Sequence, residues 1–278
     1  MTELNVQKHQ INVNGLNFNV IEKGNGPAVL LLHGFPDTWY MWRNQITALV
    51  DAGYRIIAPD MRGFGETDKP EEIEAYELQH LVSDVVGIMD HFKIERSHII
   101  SHDWGANVAW AVSSHHSERV QSLSVLASGF PKYDRTIAGY EKSWYVYFFQ
   151  FEHVAEEAFK RNDWQLFRDW ALHHSEIENW IKNLSQPGAL RGSMNWYRAN
   201  YNPAKNFQMP MEINAVEVPV LGLFGIHDPY LEERRMKGSS QYVNGSWQYE
   251  SFDAGHWLHL DKPNQVNQML LQFLKEQS

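Results

Sequence analysis

Short apolar runs that alternate with helical segments constrain the fold of this chain most strongly. Two runs, PAVLLLH at 27–33 and YRIIAPD at 54–60, are apolar almost throughout, as in strands buried on both faces of a parallel sheet. Segments with apolar residues at helical spacing lie between and after such runs, for example at 76–92 and 264–277. This alternation predicts an α/β fold with a mostly parallel, doubly wound sheet.

One long segment interrupts the alternation. The strand signals stop at 131 and resume only after 209, and the segment 131–209 has a mostly helical pattern and many aromatic residues. We therefore predict a core domain formed by 1–130 and 210–278, with 131–209 inserted as a helical cap. The aromatic residues indicate either the wall of an apolar pocket or the small core of the cap itself, and the sequence leaves both interpretations open.

Charge and composition exclude several classes of function. The net charge of -10 gives no support for nucleic-acid binding, which usually shows a basic patch. No apolar run is long enough to cross a membrane, and 1–15 lacks the pattern of a signal peptide. The chain has no cysteine, which excludes disulfides and thiolate chemistry and favours a cytoplasmic location.

The stretch SHDWGA at 101–106 carries the sharpest chemical signal. It lies between an apolar run and a helical segment, and its small-x-nucleophile-x-small pattern is typical of a tight strand-to-helix turn that exposes one side chain. The central residue is Asp103, where most enzymes with this turn have serine. An aspartate that only caps the following helix is the alternative, because aspartate is common at helix starts.

Two distant features favour the catalytic interpretation. The motif HGFP at 33–36 follows a predicted strand, so the backbone N–H groups of Phe35 and Trp104 are expected to form an oxyanion hole. Asp228 and His256 follow the last two predicted strands, which completes the chain order nucleophile, acid, histidine. Asp253 is an alternative acid, but we favour Asp228 because it lies where a strand ends. The pattern predicts an α/β-hydrolase fold.

A carboxylate nucleophile implies a particular reaction. It displaces a leaving group from a saturated carbon and forms an alkyl ester of the enzyme. His256, oriented by Asp228, would then take a proton from water, and the water would attack the ester carbonyl of Asp103. The oxyanion hole of Phe35 and Trp104 would serve this second step. Epoxides and compounds with a carbon–halogen bond are the two candidate substrate classes.

Four motifs carry a resemblance to a known family. They are HGFP at 33–36, RGFGETDKP at 62–70, HDWGA at 102–106 and GHW at 255–257. With these motifs, and over nearly its whole length, the chain resembles the epoxide hydrolases of the α/β-hydrolase fold. The resemblance implies a soluble, cofactor-independent enzyme that converts an epoxide and water into a vicinal diol. Ser101 departs from the family pattern, which usually has glycine there, but serine is still small.

The resemblance also implies two acid residues in the cap. In the family, two cap tyrosines bind the epoxide oxygen and protonate the leaving alkoxide. The stretch WYVYFFQ at 144–150 assigns Tyr145 to this role, and the motif NWYR at 195–198 assigns Tyr197. Tyr147 remains an alternative to Tyr145. Both cannot point into the site from one helix, since a helix turns by about 200° over two residues.

Two other functions remain as alternatives. A haloalkane dehalogenase uses the same aspartate nucleophile, and the indole of Trp104 could bind a halide, although Phe35 offers no side-chain donor. A non-catalytic binding protein of the same fold is the more remote alternative, because such proteins often lose one catalytic residue and this chain retains them all.

The expected partners follow from these assignments. We expect a small apolar or aromatic epoxide as substrate, no cofactor and no metal, and the sequence leaves open whether the chain is a monomer or a dimer. The adjacent histidines at 115–116 and 173–174 are expected to face solvent. Neighbouring residues on a helix point about 100° apart, and no metal-binding motif accompanies them.

Overall fold

The computed structural model describes residues 4–131, 136–201, 203 and 212–277. Among them, eight strands form one sheet in the order β1-β2-β4-β3-β5-β6-β7-β8. The strands are β1 (Gln7–Val13), β2 (Leu16–Lys23), β3 (Ala28–Leu32), β4 (Arg55–Pro59), β5 (Ser97–His102), β6 (Val120–Leu126), β7 (Val220–Gly225) and β8 (Trp247–Phe252).

The sheet is parallel except at its N-terminal edge. Strands β4, β3, β5, β6, β7 and β8 pair in parallel, whereas β1 and β2 form an antiparallel hairpin and β2 also pairs antiparallel with β4. Asn14 and Gly15 connect the hairpin with φ angles of 53° and 80°, as a type I′ turn requires. The predicted mostly parallel α/β sheet is confirmed.

Helices cover both faces of the sheet. The core helices are α1 (Arg43–Asp51), α2 (Leu78–His91), α3 (Trp104–His115), α9 (Glu233–Gly238), α10 (Leu258–Asp261) and α11 (Pro263–Glu276). Successive side chains of β3 alternate between two buried clusters, with Val29 and Leu31 packed in the cluster of α1 and α11, and Leu30 and Leu32 in that of α2 and α3. Because both faces are covered, β3 is apolar throughout.

A helical insertion follows β6 and precedes β7. Its helices are α4 (Ile137–Lys142), α5 (Trp144–Phe148), α6 (Val154–Trp170), α7 (Ile177–Leu184) and α8 (Ala189–Asn200). Helix α6 is broken in the middle, where residues 162–164 adopt left-handed backbone angles. The cap predicted at 131–209 contains these helices, but the predicted boundary between 209 and 210 lies outside the described residues, so the division into core and cap stays a prediction.

The topology positions the chemistry at one edge. The loops after β3, β5, β7 and β8 leave the carboxyl ends of neighbouring parallel strands, and the candidate residues lie on these loops. Within the described part of the chain, no helix combines the length and the apolar character needed to cross a membrane.

Candidate active site

Asp103 forms the turn between β5 and α3. Its φ of 53° and ψ of -119° lie outside the regions that non-glycine residues favour, so the turn holds it in a strained conformation. Helix α3 begins at the next residue, Trp104. A Cβ on Gly105 would lie 2.2 Å from the carbonyl oxygen of Leu32, which explains why the residue two positions after the nucleophile is small.

Two backbone N–H groups bind the Asp103 carboxylate. The N–H of Phe35 donates to Asp103 Oδ1 at 2.9 Å, and the N–H of Trp104 also hydrogen-bonds the carboxylate. The approach is close because a Cβ on Gly34 would lie only 2.3 Å from Asp103 Oδ1. Burial raises the pKa of Asp103, while the charge of His256 and the two N–H groups oppose that rise.

His256 lies between two carboxylates. Its Nδ1 is 2.7 Å from Asp228 Oδ2, and its Nε2 is 3.7 Å from Asp103 Oδ2. The other oxygen of Asp228 accepts hydrogen bonds from the backbone N–H groups of Tyr230 and Leu231, at 2.7 and 2.9 Å. Burial alone would lower the pKa of His256, but the charges of Asp228 and Asp103 outweigh it and raise the pKa.

The alternative acid lies elsewhere. Asp253 has an exposed side chain and pairs with His227 Nε2 at 2.8 Å. His102 lies behind the site, as expected of a packing residue. It is buried, and its Nε2–H donates to the backbone carbonyl of His256 at 2.9 Å. Burial lowers the pKa of His102 well below its usual value, so the ring is neutral and fixes the position of the His256 backbone.

The two predicted cap tyrosines face the nucleophile across a cavity. Tyr145 on α5 and Tyr197 on α8 line this cavity together with Asp103 and Trp104, and the centroids of the two phenol rings are 5.8 Å apart. Burial raises the pKa of Tyr197 well above its usual value, and the nearby Asp103 adds to the effect, so the hydroxyl keeps its proton. Tyr147 is half-buried and packs against Tyr140.

A buried arginine connects the helices that carry these tyrosines. Arg198 Nε donates to the carbonyl of Phe149, at the end of α5, over 2.7 Å, and Arg198 Nη1 donates to Glu156 Oε1 over 2.8 Å. Gln150 Nε2 also donates to the carbonyl of Tyr197, at 3.3 Å. These contacts set the distance between α5 and α8, and therefore the spacing of the two phenol groups.

Two further residues near the site were missed by the sequence analysis. Asp37, directly after HGFP, is buried and accepts hydrogen bonds from the indole N–H groups of Trp180 in the cap and Trp257 beside the catalytic histidine, at 2.6 and 3.0 Å. Burial raises the pKa of Asp37 to about 7. Tyr230, two residues after Asp228, donates its hydroxyl to the carbonyl of Trp170 at 2.5 Å. Their positions beside two predicted motifs were the available signal.

One expectation about histidines was wrong. His173 is exposed as predicted, but His174 is half-buried, since its ring stacks on Trp180 at 4.9 Å and its Nε2 is 3.2 Å from Asp261 Oδ1. The reason is that the side chain lies in the junction between the cap helix α7 and the core. A contact of this kind has no signature in the local sequence.

The chain is similar in sequence and in fold to several known proteins. The family model described as the alpha/beta hydrolase fold matches residues 27–263. Epoxide hydrolase 4 of Homo sapiens is 33% identical over 97% of this chain and 78% of its own length, and Epoxide hydrolase A of Mycobacterium tuberculosis is 30% identical over 95% and 96%. A crystal structure of a variant epoxide hydrolase from Bacillus megaterium has a TM-score of 0.87 at 25% identity and covers 96% of this chain and 100% of that one.

Proposed function

The chain belongs to the epoxide hydrolases of the α/β-hydrolase fold, and we propose that Asp103 is the nucleophile with which it converts an epoxide and water into a vicinal diol. The observation that carries the proposal is the position of the carboxylate. Asp103 lies at the strained turn, bound by Phe35 N–H on one oxygen and 3.7 Å from His256 on the other, and it shares a cavity with Tyr145 and Tyr197.

The first step forms the ester. Because Phe35 N–H holds Oδ1 of Asp103, Oδ2 is the oxygen that attacks a ring carbon of the epoxide. The carbon–oxygen bond of the ring breaks, and the resulting alkoxide takes a proton from Tyr145 or Tyr197. An alkoxide is a poor leaving group without an acid, so the protonated state that burial maintains in Tyr197 is what this step requires.

The second step hydrolyses the ester. The negative charge of Asp103 is one of the causes that raise the pKa of His256, and forming the ester removes that charge. His256 therefore loses a proton more readily once the ester exists, and its Nε2 can take a proton from water. The water oxygen adds to Cγ of Asp103, and the oxyanion forms on the oxygen held by the N–H groups of Phe35 and Trp104. Collapse releases the diol, whose alkoxide takes the proton back from His256. The second proton of the water, left on the Asp103 carboxyl, returns to the tyrosinate formed in the first step and restores the resting enzyme.

Dehalogenation is less well supported. The relatives reported above are named as epoxide hydrolases, and none of those names supports a dehalogenase or a binding protein. The indole N–H of Trp104, which a halide would need, hydrogen-bonds the oxygen of Tyr197 instead. An aromatic wall of Trp104, Tyr197 and Tyr230 supports a small apolar or aromatic substrate, and the absence of cysteine supports a cytoplasmic location.

Product analysis tests the function. We expect purified protein to convert an aromatic epoxide to its diol, to release no bromide from a terminal bromoalkane, and to lose the diol activity in Asp103→Ala. Bromide release without diol would contradict the proposal and would assign the tyrosines to packing.

Mass spectrometry tests the covalent step separately. In His256→Gln the ester should still form but should not be hydrolysed, so a mass increase of one substrate should accumulate on Asp103. If no adduct forms with an epoxide that the wild type converts, Asp103 is not the nucleophile, and water attacks the epoxide directly.

A further inference from the structure

We propose that Asn107 and Ser128 form a hydrogen-bonding subsite that selects epoxides carrying a hydroxyl group on a short substituent of the ring. The proposal deepens the proposed function and rests on it. The subsite lies in the same cavity as Asp103 and the cap tyrosines, and Arg235 of α9 also lines that cavity.

Asn107 is close to the nucleophile because it lies on the first turn of α3, the helix that begins directly after Asp103. It lies four residues after Asp103, and its backbone N–H donates to the carbonyl of Asp103 at 3.3 Å. This hydrogen bond places the Asn107 backbone one helical turn, about 6 Å along the axis, after that of Asp103. Both residues line the cavity, so the side-chain amide of Asn107 lies about one helical turn from the carboxylate that attacks the epoxide.

Ser128 fixes the orientation of this amide. It follows the end of β6, and its hydroxyl donates to Asn107 Oδ1 at 3.4 Å. Ser128 itself is held by the indole N–H of Trp110, which donates to the Ser128 carbonyl at 3.4 Å. With Oδ1 turned to Ser128, the Nδ2 group of Asn107 is the donor that this residue presents to the cavity. The pair thus offers an N–H donor and, in the Ser128 oxygen, an acceptor.

The burial of the pair makes its polarity informative. Asn107 and Ser128 are each only 7% exposed. A buried amide costs free energy unless it is hydrogen-bonded. An epoxide with only a hydrocarbon substituent would cover this amide without giving its N–H an acceptor. A substrate hydroxyl can accept from Asn107 Nδ2–H and donate to Ser128 Oγ, which satisfies both groups at once.

The charges around the cavity favour a neutral group over an anion. Three charged side chains line the cavity: the carboxylates of Asp103 and Glu232 and the guanidinium of Arg235. Glu232 and Arg235 offset each other in charge, so the Asp103 carboxylate leaves the lining with a net negative charge. A carboxylate on the substrate would be repelled, whereas a hydroxyl would not.

A matched pair of substrates isolates the hydroxyl. We would measure kcat/KM for 3,4-epoxybutan-1-ol and for 1,2-epoxypentane, which differ only by a hydroxyl in place of a methyl group. Because the two epoxides also differ in intrinsic reactivity, the informative quantity is the change of their ratio between protein variants. Asn107→Leu keeps the branched shape of the side chain and removes the amide, and it should lower the alcohol-to-alkane ratio roughly tenfold.

Further variants separate the subsite from general disturbance. Asn107→Ala should lower the same ratio and serves if the leucine variant fails to fold. Ser143→Ala is the matched control, because Ser143 lines the same cavity but its hydroxyl donates to the carbonyl of Gly139 at 2.6 Å, so the ratio should not change. An equal ratio in wild type and both Asn107 variants overturns the subsite. If the wild type forms no diol from either epoxide, the proposed function fails instead.

Discussion

Removing Arg198 tests whether the buried ion pair in the cap sets the geometry of the two tyrosines. The side chains of Arg198 and Glu156 are 2% and 9% exposed, so Arg198→Met leaves the Glu156 carboxylate buried without its partner and also removes the hydrogen bond to the Phe149 carbonyl. Breaking a buried pair in this way costs about 3–5 kcal/mol of unfolding free energy. With an unfolding entropy of about 2.1 cal/mol/K per residue, that corresponds for this chain to a decrease in Tm of roughly 5–9 °C.

A double variant separates the effect of the unpaired charge from the loss of the link between the helices. Replacing both partners, as Arg198→Met with Glu156→Leu, removes the unpaired carboxylate and should recover most of the stability lost by the single variant. Thermal unfolding followed by circular dichroism measures both. In the double variant, the rate of ester formation should stay low even when stability returns, because Arg198 no longer bonds the Phe149 carbonyl at the end of α5 and the longer Gln150–Tyr197 hydrogen bond is left to hold α8. A single variant within about 1 kcal/mol of wild type, or a double variant that is as unstable as the single one, would refute the reasoning.

Three further results are expected. Tyr197→Phe should lower the rate of ester formation roughly 100-fold, since it removes a general acid, whereas Tyr147→Phe should change it little; rapid quenching of single turnovers measures both. The pKa of Asp37 in the folded protein is about 7, above its usual 3.8, so the unfolded chain releases this proton at lower pH than the folded one. The contribution of Asp37 to stability therefore falls as pH rises from about 4 to 7. In urea unfolding, the free energy of unfolding should fall less between pH 5 and pH 8 in Asp37→Asn than in wild type. Because burial raises the pKa of Asp103, the acidic limb of kcat/KM should lie above pH 3.8, and a limb below that value would contradict the buried nucleophile.

The sequence predicted those features that depend on local pattern. Continuous apolar runs identified strands such as β3 because both faces of the sheet are buried, and the small residues around Asp103 identified the turn because any Cβ at Gly105 would collide with the neighbouring strand. The order of Asp103, Asp228 and His256 along the chain follows from the topology, which the strand pattern already implied.

Features that join distant segments could not be predicted in this way. The contacts of Asp37 with Trp180 and Trp257 bring together three parts of the chain that share no pattern. In the sequence, Asn107 looks like any polar residue in a helix, and only its position in the cavity wall indicates a role in substrate binding. The break in α6 at 162–164 occurs without glycine or proline. Asn162 and Asp163 tolerate left-handed angles and were the available signal, but such residues also occur in unbroken helices.

The close contact between Phe35 and Asp103 has a consequence for which step limits turnover. The N–H of Phe35 already holds Oδ1 at 2.9 Å in the resting enzyme, and in the proposed mechanism the same oxygen becomes the ester carbonyl and then the oxyanion. A donor engaged in every state accelerates hydrolysis only by the gain in bond strength between ester and oxyanion, while it makes the resting carboxylate a weaker nucleophile. The two half-reactions therefore favour opposite changes in the distance between Phe35 N and Asp103 Oδ1. Shortening it favours release of the diol, and lengthening it favours capture of the epoxide.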